Sequence, residues 1–252
     1  MATLAAPSLA FAAGLIGGAM NALAGGGTFA TLPAMIALGL PATAANASSN
    51  VALLPGAAAS AIGYRDELGP VGGIGWRTLA AITFAGGLVG SVLLVMTPAR
   101  VFDVIVPWLL LFAFTVMLFG RRASDWLRAR VRIGTGTLAG VQLMLGVYGG
   151  YFGGGVGLIT TALYGLLAGI DVREMFAMRT TMLAVANLAA ALIFIGFGMV
   201  VWLACLPMLA GAVIGGWGGA LIGKRLPATW VRVWTLMVTG LTTMIFFARA
   251  YA

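Results

Sequence analysis

The sequence predicts an all-α polytopic membrane protein arranged as two inverted repeats. Three observations carry that expectation. Of the 252 residues, 62% are hydrophobic and only 8% are charged, whereas a soluble domain carries about 25% charged residues. Apolar runs of about 18 residues or more recur, long enough to cross a ~30 Å hydrocarbon core as helices. Finally, Gly25-Gly26-Gly27-Thr28 and Gly153-Gly154-Gly155-Val156 interrupt such runs at corresponding places in the two halves. Each break closes one apolar helix pattern and opens another too short to span comfortably. Paired breaks of this kind point to the binding site of a secondary transporter.

Three anchors align the halves at nearly constant offset. The Gly clusters are the first. Ala85-Gly86-Gly87-Leu88-Val89-Gly90 matches Ala210-Gly211-Ala212-Val213-Ile214-Gly215, each with a small-xxx-small face suited to close helix approach. Pro98-Ala99-Arg100-Val101-Phe102-Asp103-Val104 matches Pro227-Ala228-Thr229-Trp230-Val231-Arg232-Val233. Three anchors in order imply a duplication.

Each repeat reads as a Gly-broken hairpin followed by three long helices. The first helix covers 8–24 (134–152 in the second half) and the short leg 28–39 (156–169). The long helices follow at 42–62, 78–96 and 101–120, matched by 172–196, 201–222 and 231–248. A short leg reaches at most ~20 Å by helix rise, so it is either a re-entrant leg or an undersized span, and either way the chain returns to the side where its hairpin began. Each half then crosses an odd number of times and the halves are opposed. Residues 1–120 form the first repeat, 121–133 a basic cytoplasmic linker and 134–252 the second repeat of a single membrane domain. The apolar stretch at the N-terminus lacks a basic flank and is repeated internally, so it reads as a retained helix rather than a signal peptide. Pro107 and Pro207 are expected to kink their helices.

Charge supports the opposed arrangement. With the 121–132 loop in the cytoplasm, the inside holds Arg65, Arg77, Arg121, Arg122, Arg128, Arg130, Arg132, Arg173, Lys224, Arg225 and Arg232. The outside holds only Arg100 and Arg249, and Arg179 is intramembrane. A parallel arrangement would put Arg173 and the 224–232 cluster outside, against the positive-inside rule. Both termini are therefore expected in the periplasm. The net charge of +8 is read as this orientation signal and as lipid-headgroup contact, not as a nucleic-acid footprint. Trp76, Trp126 and Trp230 read as interfacial anchors.

Several functions are excluded by what is missing. The chain has no histidine and one cysteine, Cys205, so it lacks the commonest catalytic base and metal ligand, and no CxxC redox or zinc motif and no His-based triad can be assembled. Walker A, HExxH and GxSxG patterns do not occur. Gly134-Thr135-Gly136-Thr137-Leu138-Ala139 fits GxGxxA in letters only, because it opens a membrane helix instead of following a strand. No cofactor and no enzymatic activity are expected.

The candidate substrate site is built from the breaks. Non-helical backbone at membrane depth must be buried in protein or line a cavity. A helix starting there presents free N–H groups and a partial positive charge, which suits an anion. Gly25, Gly26, Gly27, Thr28, Gly153, Gly154 and Gly155 form this core, with Tyr151 flanking the second break and Tyr148, Asn21 and Gln142 nearby. The competing reading of the glycines is helix packing alone. Polar residues in the following helices add Asn46, Ser49, Asn50 and Thr180. Arg179 lies about two turns inside its helix, and its i±3 and i±4 neighbours carry no acid. An intramembrane Arg costs about 2.5 kcal/mol or more, so it should meet a cavity, carbonyls or an anion. Its alternative is snorkelling to the headgroups. Asp171 and Glu174 read as helix N-terminal acids.

The Gly-rich breaks, the Gly39-Leu40-Pro41 that ends the short leg, and the small/polar helix after it resemble the TauE/SafE sulfite exporter family. The resemblance covers essentially the whole chain. It implies a bacterial inner-membrane exporter of sulfur-containing anions such as sulfite or sulfoacetate. The second half departs from the pattern, with Gly169-Ile170-Asp171 at the leg and Arg179 in place of Ser49. Expected partners are the small anion and membrane lipids, and a homo-oligomer is compatible with the sequence. The rival functions are an anion channel in which the Gly breaks form a filter and a permease for another small organic or inorganic anion.

Overall fold

The computed structural model describes residues 2–128, 134–168, 172–223 and 227–251. Asp171, Arg130, Arg132, Lys224 and Arg225, each assigned a role from the sequence, lie outside the described residues. Ten α-helices follow one another, with a single 3₁₀ turn at Arg65–Glu67 and no named strand among the described residues. The first half holds α1 (Ala2–Ala24), α2 (Thr28–Ala37), α3 (Ala42–Gly63), α4 (Trp76–Met96) and α5 (Ala99–Arg128). The second holds α6 (Thr135–Tyr151), α7 (Val156–Ala168), α8 (Val172–Gly196), α9 (Trp202–Gly223) and α10 (Ala228–Tyr251).

Most boundaries fall at the punctuation visible in the sequence. Pro41 and Pro98 precede α3 and α5, Pro227 precedes α10, and Gly134 precedes α6. Pro supplies a fixed φ and a missing donor where a helix start needs none. The linker is where expectation and structure part. Residues 121–128 continue α5 instead of forming a loop, because the stretch contains neither Gly nor Pro and is rich in helix formers. At 30 residues, α5 is about 45 Å long by helix rise, so its last turns extend past a hydrocarbon core.

Six helices among the described residues are long and apolar enough to span a membrane: α1, α4, α5, α8, α9 and α10. This is a multi-pass membrane protein. The ten residues of α2 cover about 15 Å and cannot cross. The 22-residue α3 could, but Asn46, Ser48, Ser49 and Asn50 dilute its apolar character. All four are buried. A polar span is tolerable only when other helices shield it from lipid.

Packing directions are set by small residues. Gly86 and Gly90 of α4 lie against the backbone of α6 at Leu143 and Val147. Their sequence counterparts Gly211 and Gly215 of α9 lie against α1 at Phe11 and Leu15. In both pairs residue numbers rise together, so α4 runs parallel to α6 and α9 parallel to α1. Without a hydrophobic drive inside lipid, such close backbone approach supplies the van der Waals contact that joins helices. Each first helix is thereby clamped by a helix of the opposite half.

The corresponding helices α3 and α8 pack antiparallel. Tyr64 at the end of α3 meets Phe176 near the start of α8, with ring centroids 4.7 Å apart. At the other end the backbone N–H of Val201, just past α8, donates to the Ser48 hydroxyl at 2.9 Å. The pair α5 and α10 is antiparallel as well, with Arg232 donating to Leu118 O at 3.1 Å and Arg249 beside Asp103. α8 is the most enclosed span, 72% buried against 28% for α5 and for α10. The central pair is therefore α3 with α8, and the lipid-facing pair is α5 with α10.

Candidate functional site

The two Gly breaks meet at the centre of this framework. Gly25 ends α1 with φ +79, and its N–H donates to Met20 O and Asn21 O at 3.1 and 3.0 Å. That is the left-handed C-cap geometry that favours glycine. Gly153 ends α6 in the same way with φ +76, its N–H reaching Tyr148 O at 3.4 Å. The breaks then diverge. Gly27 stays right-handed with φ −59, whereas Gly155 is left-handed with φ +77.

Each break is braced by side chains. In the first, Asn21 Oδ1 accepts the Gly27 N–H at 3.0 Å, the Thr31 hydroxyl donates to Gly27 O at 3.2 Å, and Thr31 is hydrogen-bonded to Ser49. Thr28 opens α2 and is buried. In the second, the Tyr148 hydroxyl donates to Gly154 O at 2.8 Å, with Leu109 O 3.2 Å away. Tyr148 and Asn21 thus hold the loops themselves. Their signal in the sequence is a polar side chain within one or two turns before each Gly cluster.

A second set of contacts crosses between halves. Asn46 Nδ2 donates to Tyr151 O at 3.1 Å, and Asn50 Nδ2 donates to Phe152 O at 3.3 Å. The last carbonyls of α6, which lack helical partners, are therefore satisfied from α3. Arg179 does the reciprocal job from α8, its Nη2 donating to Ala22 O near the end of α1 at 3.4 Å. Asn46, Asn50 and Arg179 are consequently joined to the breaks, each to the break of the other half. Tyr151 contributes its carbonyl, while its hydroxyl turns away to donate to Thr97 Oγ1 at 3.3 Å. The Thr180 hydroxyl bonds back to Phe176 O and Ala177 O, both at 3.0 Å.

Arg179 sits where the halves touch. Its guanidinium carbon lies 4.3 Å from the Phe176 ring centroid, a cation–π contact. A methyl added to Gly157 would lie 3.2 Å from Arg179 Cγ and 2.9 Å from Gly25 Cα. The side chain is buried and its Nε has no hydrogen-bond partner. Among the described residues the ion pairs are Arg65–Asp66 and Arg249–Asp103, both far more exposed. No carboxylate among the described residues answers Arg179.

Besides Thr160 Oγ1, Thr181 Oγ1 and Asn187 Oδ1, four buried atoms at the breaks lack a hydrogen-bond partner among the described residues. Around the first break they are donors, Asn21 Nδ2 and Arg179 Nε. Beside the second they are acceptors, Asn46 Oδ1 and Asn50 Oδ1. Each unpaired buried group costs about 1–3 kcal/mol, so the donor side is the one that an anion would relieve. Asn21, Ala22 and Thr180 line a cavity of about 10 Å³ walled by Gly18, Gly56 and Ala212, room for about one water molecule. No group of three or more metal-ligating side chains occurs among the described residues.

The sequence matches the family described as Sulfite exporter TauE/SafE over residues 10–246, which takes in both breaks and every bracing residue above. The chain belongs to the TauE/SafE sulfite exporter family. Its relatives include a probable membrane transporter protein of Haemophilus influenzae, 27% identical over 92% of this chain and 92% of that one. A probable membrane transporter protein from a Sinorhizobium species is 30% identical, covering 85% and 80%. The probable membrane transporter protein YfcA of Escherichia coli is 26% identical, covering 86% and 78%. No solved structure matches the chain. As a TauE/SafE member, it is a membrane transporter whose family-wide match includes the Gly-broken hairpins.

Proposed function

We propose that this TauE/SafE member is a carrier that exports a small sulfur-containing anion, sulfite or a two-carbon sulfonate such as sulfoacetate, across the bacterial inner membrane. The observation that carries the reading is the buried guanidinium of Arg179, set between the two breaks with an unpaired Nε and no carboxylate among the described residues. Its planar fork suits the paired oxygens of a sulfite or sulfonate. Asn21 Nδ2 offers a further free donor on the same side. The breaks add helix N-termini, Thr28 for α2 and Val156 for α7, with the partial positive charge that favours an anion.

The cavity beside Asn21 holds about one water, less than any sulfur oxyanion needs. Arg179 is buried outside that cavity, so substrate reaches it only when helices part, which favours a carrier over an open channel. The antiparallel packing of α3 on α8 and of α5 on α10 supports two inverted halves, the architecture on which rocking-type alternating access rests. The Arg-rich connectors then face the cytoplasm and both termini the periplasm. With the cytoplasm negative, each exported negative charge gains about 2.3 kcal/mol per 100 mV, enough to drive efflux without nucleotide hydrolysis.

Proteoliposomes loaded with sulfite, sulfoacetate, taurine or thiosulfate test this reading. Saturable efflux of sulfite or sulfoacetate, accelerated by the same anion outside, is expected of the carrier. Efflux indifferent to anion on the far side would identify a channel. Efflux unchanged in Arg179→Ala would remove Arg179 from the substrate site.

A further inference from the structure

Where α5 begins and α10 ends, far from the breaks in both chain and role, the structure places two arginines around a cavity of about 190 Å³. Arg100, Asp103, Phe246 and Arg249 line it. Arg249 Nη2 lies 3.9 Å from Asp103 Oδ1, with the two side chains 47% and 38% exposed. That is the loosest contact that counts as an ion pair, and such exposed pairs contribute little. Arg100 is exposed and has no carboxylate partner among the described residues. Two guanidiniums against one carboxylate leave the cavity with a surplus positive charge.

The surroundings of this charge are not those of an open water-facing patch. The Trp108 Nε1–H donates to the Tyr251 hydroxyl at 2.8 Å, and that hydroxyl donates to Val104 O at 3.2 Å. Trp108 also packs edge-on to Phe247, centroids 5.3 Å apart. By helix rise Trp108 lies about 12 Å further along α5 than Arg100, which sets the two arginines at the headgroup level of a bilayer and Trp108 at the inner edge of the interface. Val104, Trp108 and Ile245 on the same two helices are exposed, and α5 and α10 are among the least buried spans.

We infer that the α5–α10 rim holds one anionic phospholipid, its phosphodiester between Arg100 and Arg249 and its acyl chains along Val104, Trp108 and Ile245. Guanidinium forks pair well with phosphate oxygens, and the apolar flank gives the chains a surface that a free anion could not use. A second copy of the chain fits less well. An isologous contact centred here would set its arginines against the same arginines.

The test uses the full chain purified in a non-ionic detergent, with lipid retention read by native mass spectrometry. Dioleoylphosphatidylglycerol should be retained in preference to dioleoylphosphatidylcholine. Replacing both arginines (Arg100→Gln with Arg249→Gln) should weaken phosphatidylglycerol retention on the order of tenfold, while the paired Lys replacements keep most of it. Asp103→Asn removes the competing carboxylate and should strengthen retention, an effect that mere damage to the rim would not produce. Equal retention of the two lipids, or undiminished phosphatidylglycerol on the Gln variant, overturns the inference. Displacement of the lipid by inorganic phosphate alone would assign the rim to a free anion. A dimer that is lost in the Gln variant would assign it to a second copy. Either result overturns the lipid site.

Discussion

Gly25 and Gly157 belong to opposite halves of the chain, yet their backbones are in contact: a methyl on Gly25 would stand 2.7 Å from Gly157 Cα. The end of α1 and the start of α7 are thus pressed together with no side chain between them. This contact brings Arg179 within reach of both breaks at once.

Gly157→Ala should therefore destabilise the protein. The new methyl would lie 2.9 Å from Gly25 Cα and 3.2 Å from Arg179 Cγ, and overpacking of this kind costs about 1–3 kcal/mol. Gly140→Ala in α6 is the matched control, because nothing lies within 4 Å of the added methyl. A helical Gly replaced by Ala at an open position gains about 0.5–1 kcal/mol. Thermal unfolding in detergent should move the two variants in opposite directions. A loss of stability in both would show that helix propensity and local space do not govern these sites.

A crossed pair of substitutions tests the cross-half braces. Asn50→Ala leaves Phe152 O without its 3.3 Å donor, a loss of about 1–3 kcal/mol. Asn50→Asp should be worse, because it also places a buried negative charge beside that carbonyl. If the Asp variant unfolds no earlier than the Ala variant, Asn50 is not acting through its amide N–H.

How much of this was legible beforehand differs between backbone and side chains. Helix order, the two breaks and the short legs were readable because Gly25-Gly26-Gly27, Pro41, Pro98, Gly134 and Pro227 act locally, through φ preference and missing donors. The extension of α5 to Arg128 was missed because charge was read as loop, although helix propensity there is sound. Partners were not readable. Asn46 finds Tyr151 O at a separation of 105 residues, and Arg179 finds Ala22 O at 157; no local pattern encodes either. The sequence could flag Arg179 as costly in a membrane, but not which carbonyl it would meet.

Another such long-range set is the buried chain Tyr164–Gln142–Thr83. The Tyr164 hydroxyl donates to Gln142 Oε1 at 2.7 Å and Gln142 Nε2 donates to Thr83 Oγ1 at 2.6 Å, tying α7 and α6 to α4. Tyr164→Phe leaves the Gln142 oxygen unsatisfied and should cost about 1–3 kcal/mol. Gln142→Leu added to it should cost less than the sum of the two single changes, since the orphaned atom is removed. Additive losses in a double-mutant cycle of unfolding would mean that the two side chains are not coupled.

The sharpest prediction separates stability from transport at Arg179. The guanidinium forms one long hydrogen bond, 3.4 Å to Ala22 O, and leaves Nε unpaired. A bond of that length contributes about 1 kcal/mol at most, whereas holding a charge in a buried, carboxylate-free place costs several kcal/mol. The cation–π contact with Phe176, 4.3 Å from the ring centroid, returns about 2 kcal/mol, which still falls short of the burial cost. Arg179→Met fills a similar length with apolar atoms and should raise thermal stability by about 1–3 kcal/mol equivalent. The same variant should lose anion transport by tenfold or more, the factor that corresponds to about 1.4 kcal/mol, because the fork for the substrate oxygens is gone. A natural residue that lowers stability at a site where an apolar one would raise it is retained for function. Should Arg179→Met unfold earlier than the wild type while transport persists, the side chain is a structural brace for the end of α1, and the anion must be held elsewhere.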